Sequence, residues 1–153
     1  MEYIFTLQLP TAAVIVIAVL VAVIAFVAAL MILPPSTLKI SVSNDSIAVK
    51  AVLAPGVHVD RGEVVKCFVA NLAVNQEFKP KLKINGWALP GFRLGWFRLE
   101  NGAKAYLALN DPNSDAVILE TSRGSYIILQ PQDFTKFTSI LKSLGWLKQE
   151  YGG

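Results

Sequence analysis

Residues 11–33 read TAAVIVIAVLVAVIAFVAALMIL, and from Tyr3 through Leu38 no side chain carries a charge. No other feature constrains the chain so strongly. As a helix these 23 residues rise about 34 Å, enough to cross a hydrocarbon core of about 30 Å. Valine and isoleucine are mediocre helix formers in water. In hydrocarbon an unpaired backbone group costs more than that preference, so helix is the expected state. Pro10 precedes the run as a helix start, and Pro34-Pro35 predict its stop. A cleaved leader is a poorer reading, because the chain opens Met1-Glu2-Tyr3 without the positive start such leaders carry. The expected organisation is a tail over 1–10, a transmembrane helix over 11–33, one domain over 36–147 and a flexible tail over 148–153.

Orientation follows from the flanking charges. Glu2 offsets the terminal amine on one side, while Lys39, Lys50 and Arg61 outnumber Asp45 and Asp60 on the other. That bias places the C-terminal domain in the cytoplasm, on a single-pass anchor in the cell membrane. Within the span, Ala18 with Ala22 and Ala25 with Ala29 have the small-residue spacing that permits close helix pairing.

The remaining 120 residues or so leave room for one domain. With 54% apolar and 16% charged residues overall, the chain is not a disordered polymer. One cysteine and one histidine exclude an internal disulfide framework, a thiolate-rich metal site and a histidine cluster. The net charge of +3 is too small to read as a nucleic-acid signature.

Short strands bounded by turn residues dominate the domain. STLKISVS and SIAVKAV flank Asn44-Asp45-Ser46 as a hairpin, with Leu38, Ile40 and Val42 on one face. VHVDRG ends in a turn, and VVKCFVA is a further strand holding Cys67, with no basic neighbour in sequence to make it reactive. Residues 93–99 and 103–110 pair across Asn101-Gly102, whose positive φ values suit a tight turn. AVILET and SYIIL pair across Ser122-Arg123-Gly124. A helix over about 131–144 starts near Pro131, with Asp133 in its first turn, and stops at Gly145, where Trp146 and Leu147 fold back. Phe134, Phe137, Ile140, Leu141 and Leu144 form its apolar stripe.

The most individual segment is KPKLKINGWALPGFRLGWFR, residues 79–98. It contains Lys79, Lys81, Lys83, Arg93 and Arg98, no acid, and Trp87, Phe92, Trp96 and Phe97. Cations interleaved with aromatics suit an anionic lipid or a nucleic acid. Aromatics in a core with cations on its solvated face make the same pattern. Lys79, Lys81, Lys83, Arg93, Arg98 and Trp87 are therefore the candidate interaction residues. Gly86, Gly91 and Gly95 do not form a phosphate-binding loop and point to turns or backbone crowding.

Catalytic signals are weak. His58 and Asp60 share a strand face, but no GxSxG elbow accompanies them. Asp111 and Asp115 stand in DPNSD, which has ordinary turn chemistry and lacks the terminal glutamate of a calcium loop. No catalytic residue, cofactor or metal is expected.

Gly86, Pro90-Gly91, Arg93-Leu94-Gly95-Trp96-Phe97, Asn101-Gly102, the Thr121–Gly124 turn and the helix start Pro131, Asp133, Phe137 carry a family likeness. With them, the order of span, strands and final helix resembles the prokaryotic pleckstrin-homology-like domains over roughly 36–145. The resemblance implies a mostly-β domain built as a seven-strand, partly open barrel capped by the C-terminal helix, without catalysis. Eukaryotic members often bind phosphoinositides through basic residues of the first strand pair; here that loop is Ser43-Asn44-Asp45-Ser46. Their other habit, binding peptides or self-associating, fits this chain better. The expected function is a non-enzymatic, membrane-tethered interaction domain with a protein partner or its own copies, the alternative being anionic lipid or nucleic acid at 79–98, with nucleic acid the weaker of the two.

Overall fold

The computed structural model describes residues 1–147; the tail expected over 148–153 lies outside the described residues. Residues 1–10 have no regular secondary structure. They lead into helix α1 (Thr11–Thr37), which is long and apolar enough to cross a membrane and buries none of its apolar window in the protein. The helix does not stop at Pro34-Pro35 as the sequence predicts. It continues for one more turn, in which the Ser36 and Thr37 hydroxyls donate to the carbonyls of Ile32 (2.8 Å) and Leu33 (2.7 Å). Pro34 is buried there. The missing Pro34 and Pro35 N–H groups would have served the carbonyls of Leu30 and Met31; the two hydroxyls bond the next carbonyls along, those of Ile32 and Leu33. The extra turn moves the first strand's start from the expected Ser36 to Lys39.

Nine strands follow: β1 (Lys39–Val42), β2 (Ser46–Lys50), β3 (Val57–Asp60), β4 (Val64–Asn71), β5 (Pro80–Leu89), β6 (Phe92–Leu99), β7 (Lys104–Leu109), β8 (Asp115–Thr121) and β9 (Tyr126–Leu129). Helix α2 (Phe134–Ser143) closes the order. The expected hairpins β1–β2, β6–β7 and β8–β9 all form. Two more strands than expected appear, because VHVD is extended and the lysine-rich start of 79–98 is the ten-residue strand β5. Bulges in the β5–β6 register interrupt its period-two pattern and hide the strand from the sequence.

The strands make two sheets that do not close on each other through hydrogen bonds, as the expected partly open barrel requires. One is antiparallel, β1-β2-β3; the other is mixed, in the order β4-β8-β9-β7-β6-β5. Strand β9 inserts between β8 and β7 and runs parallel to β7. The large sheet is buried on both faces in its middle. On one face Leu94, Tyr106, Val117, Leu119 and Leu129 pack with Ile47, Val49 and Val59 of the small sheet and with Phe137 and Leu141 of α2. On the other, Phe97, Leu107 and Ile118 pack under Leu72 and Phe78 from the β4–β5 connection. Phe78 meets Tyr126 edge-on, with ring centroids 5.4 Å apart. Burial on both faces explains why β7, β8 and β9 are almost continuously apolar and do not alternate.

Helix α2 caps this core. It begins three residues later than the proline signal predicts: Asp133 is the N-cap, its carboxylate accepting from the Lys136 amide. Its end is as expected. Gly145 has φ 73°, its amide donates to Lys142, and the Trp146 amide donates to Leu141 (2.8 Å), burying Trp146 and Leu147. At the β6–β7 turn, in contrast, only Gly102 is left-handed; Asn101 keeps a negative φ and bonds the Ala103 amide through its side chain.

Candidate interaction surface

The aromatics of 79–98 belong to the core. Phe97 is buried, and Phe92, Trp87 and Trp96 pack against the cluster that α2 covers. Trp96 meets Tyr106 edge-on at 5.4 Å, and the Lys104 ammonium lies 4.6 Å from the Trp96 ring centre. The Trp87 indole N–H donates to the Leu53 carbonyl at 2.9 Å.

The cations do not gather into one patch. Arg93 is partly buried and donates to the carbonyls of Leu89 and Phe92. Arg98 donates to the Gly102 carbonyl (3.0 Å), securing the β6–β7 turn. Lys81 pairs with Glu100 at 3.3 Å. Lys83 is exposed and Lys79 half-buried. Cross-strand register puts Lys83 beside Phe97 and Arg98 beside Leu82, on opposite faces of the sheet.

The glycines of this segment report crowding. Gly86 and Gly95 face each other across β5 and β6, with φ 146° and 119°. A Cβ on Gly95 would stand 2.4 Å from the Asn85 carbonyl oxygen and 2.7 Å from the Gly86 Cα. These backbones are too close for any side chain between them.

The remaining sequence candidates have structural roles. His58 Nε2 and Asp60 Oδ1 are 3.0 Å apart, and both side chains are more than half exposed. Burial pushes the Cys67 thiol up to about 12, against a smaller opposing pull from Arg61, so it is protonated and a poor nucleophile at neutral pH. Asp111 accepts from the Ser114 hydroxyl and the Asn113 amide, which together hold its carboxyl below the ordinary range. Among the described residues no three His, Cys, Asp or Glu side chains group as metal ligands.

Three features escape a reading by sequence. Arg61 donates to the carbonyls of Asn44 (2.8 Å), Leu144 (3.0 Å) and Gly145 (2.6 Å), and stacks 4.8 Å from the Trp146 ring centre. It ties the first hairpin to the end of α2, where a cation suits the helix dipole. Gln130 is buried; its Oε1 accepts from the Asn110 and Asp111 amides and its Nε2 donates to the Asp115 carbonyl. The third is the edge strand β4, bonded only to β8. Two open grooves run along it. One, of about 580 Å³, lies between Cys67, Phe68, Val69 and the α2 side chains Phe134, Thr138 and Lys142. The other, of about 650 Å³, is lined by Arg61, Val65, Lys66 and Trp146. No sequence signal separates this edge from an interior strand, because edge status depends on which strand pairs with which.

A family model described as a bacterial PH domain matches residues 38–145. No curated protein and no solved structure matches significantly. The match covers well over half of the chain and coincides with the two sheets and α2, so this chain belongs to the bacterial PH domain family.

Proposed function

We propose that the protein is a non-enzymatic, membrane-tethered interaction domain that receives an extended segment of a protein partner along β4, on the cytoplasmic side of the cell membrane. The free edge of β4 beside α2 carries this reading. An edge strand offers every second residue's N–H and C=O to an incoming strand. The adjoining grooves supply apolar walls at Phe68, Phe134 and Trp146 and cations at Lys66 and Lys142. Val65 and Val69 are exposed on the same strand. Strand addition takes affinity from the main chain and specificity from such side pockets. Tethering concentrates the domain in two dimensions, so a weak contact suffices.

A photo-crosslinking residue at Val69 in the membrane-bound full chain tests this. The expected result is one discrete adduct, absent when the probe is at Asn101 in the exposed β6–β7 turn. An adduct of twice the chain mass identifies a second copy as the partner. No adduct at Val69 or Val65 refutes the reading. Lipid binding by 79–98 is the second reading, favoured by exposed Lys83; it requires saturable vesicle binding that Lys81→Glu with Lys83→Glu abolishes. Orientation is tested by labelling Ser43→Cys in a Cys67→Ser background from each side of the membrane, with labelling from the cytoplasmic side expected.

A further inference from the structure

Between β2 and β3 the chain reads Ala51-Val52-Leu53-Ala54-Pro55-Gly56, six residues without a charge. The loop is fastened at three points. The Val52 amide donates to Thr37 Oγ1 at the last turn of α1 (2.9 Å). Trp87 donates to the Leu53 carbonyl, and the buried Tyr106 hydroxyl donates to the Pro55 carbonyl (2.7 Å). So held, the loop packs Ala51 and Ala54 against the core and leaves two larger apolar side chains outward: Val52 and Leu53 are 50% and 55% exposed. Leu53 is also the one non-glycine residue with a positive φ, 59°, among the described residues. Left-handed backbone is unfavourable for leucine and persists only where the surroundings impose it. Glycine or asparagine would serve a turn there at lower cost; leucine adds only an exposed apolar side chain.

The position of the loop indicates what covers it. Helix α1 has 27 residues and a rise of about 40 Å, against a hydrocarbon core of about 30 Å. Its apolar run ends at Leu33, so a bilayer crossed by that run would give way from hydrocarbon to headgroups at the final turn, which binds the loop. Lys39 and Lys50 stand directly opposite each other in the β1–β2 register, at the same end of the hairpin and both exposed. Neither takes part in an ion pair among the described residues. Like charges facing across a strand pair repel; a phosphate between them removes the repulsion.

We propose that the Ala51–Gly56 loop is a second membrane contact, in which Val52 and Leu53 enter the interface of the leaflet where α1 ends and Lys39 and Lys50 meet its phospholipid phosphates. The contact fixes how the domain stands on the bilayer, so that β4 is presented at a constant height and angle. It involves the end of the hairpin opposite to the Ser43–Ser46 loop, and it does not depend on what β4 binds. Because the anchor already holds the domain at the surface, the loop needs little affinity of its own.

The test uses the full chain in anionic phospholipid vesicles, with an environment-sensitive fluorophore on Leu53→Cys in a Cys67→Ser background and a quencher attached to the lipid just below the headgroup. Asn44→Cys, at the far end of the same hairpin on the same tether, is the reference. Blue-shifted emission and strong quenching are expected at 53, with neither at 44. Equal, water-like signals at the two positions overturn the proposal. Lys39→Glu with Lys50→Glu should reduce quenching at 53 toward the level at 44 while the near-ultraviolet circular dichroism of the domain is retained. Undiminished quenching at 53 in that variant overturns the role of the lysines.

Discussion

Gly95→Ala tests the closest packing in the domain. Gly95 has φ 119°, so any side chain there is strained before it meets a neighbour; a left-handed backbone costs a non-glycine residue about 1–2 kcal/mol. The new Cβ would also stand 2.4 Å from the Asn85 carbonyl oxygen and 3.1 Å from Pro55 Cγ. Two of its three nearest neighbours are backbone atoms of β5 that cannot rotate away. Relieving the overlap requires the β5–β6 pair to separate, and overpacking of this kind costs about 1–3 kcal/mol more. The total, about 2–5 kcal/mol, is a large part of the 5–15 kcal/mol that stabilises a typical domain. Gly102→Ala separates the two contributions. Gly102 also has a positive φ, 84°, but a Cβ there would meet nothing within 4 Å, so about 1–2 kcal/mol is expected. Denaturant unfolding of both variants and the parent chain in the same mild detergent gives the difference. A Gly95→Ala cost no larger than that of Gly102→Ala refutes the close-approach argument, and with it the β5–β6 geometry.

Phe137→Ala removes a buried ring from the seam between α2 and the sheets, and a loss of about 3–5 kcal/mol is expected by denaturant melting. Arg61→Ala frees the three carbonyls that Arg61 joins; because Arg61 is exposed, the expected loss is only about 1 kcal/mol, together with faster proteolysis at the end of α2. Stability should fall on the alkaline side. Burial raises Cys67 from 9.0 and Tyr106 from 10.0, each to about 12, so the unfolded chain loses these protons first. The part of the unfolding free energy that these two groups set is level well below pH 9 and declines toward pH 12; a Tyr106→Phe, Cys67→Ser variant should show a shallower decline.

The span, the three hairpins and the stripe on α2 were legible in the sequence, because each is written in neighbouring residues. An uncharged apolar run as long as a bilayer is thick forms the helix expected of it, and Gly145 after a helical stripe needs only its own positive φ to end the helix. Proline is also a local signal, yet it misled at both helices. Helix α1 runs on through Thr37 past Pro34-Pro35, and Asp133 displaces Pro131 as the start of α2. What tertiary structure alone decided is how distant segments meet. Nothing within SYIIL states that β9 slides between β8 and β7, and that insertion leaves β4 and β5 as the two free edges. Nothing in the 79–98 composition separates Arg93 and Arg98, bound to their own turns, from exposed Lys83. The loop with Val52 and Leu53 reads as an ordinary Pro-Gly break until Thr37, Trp87 and Tyr106 are seen to hold it at the end of the span. Periodicity and turn chemistry act over a few residues, whereas edges, patches and junctions are set by contacts between residues far apart in the chain.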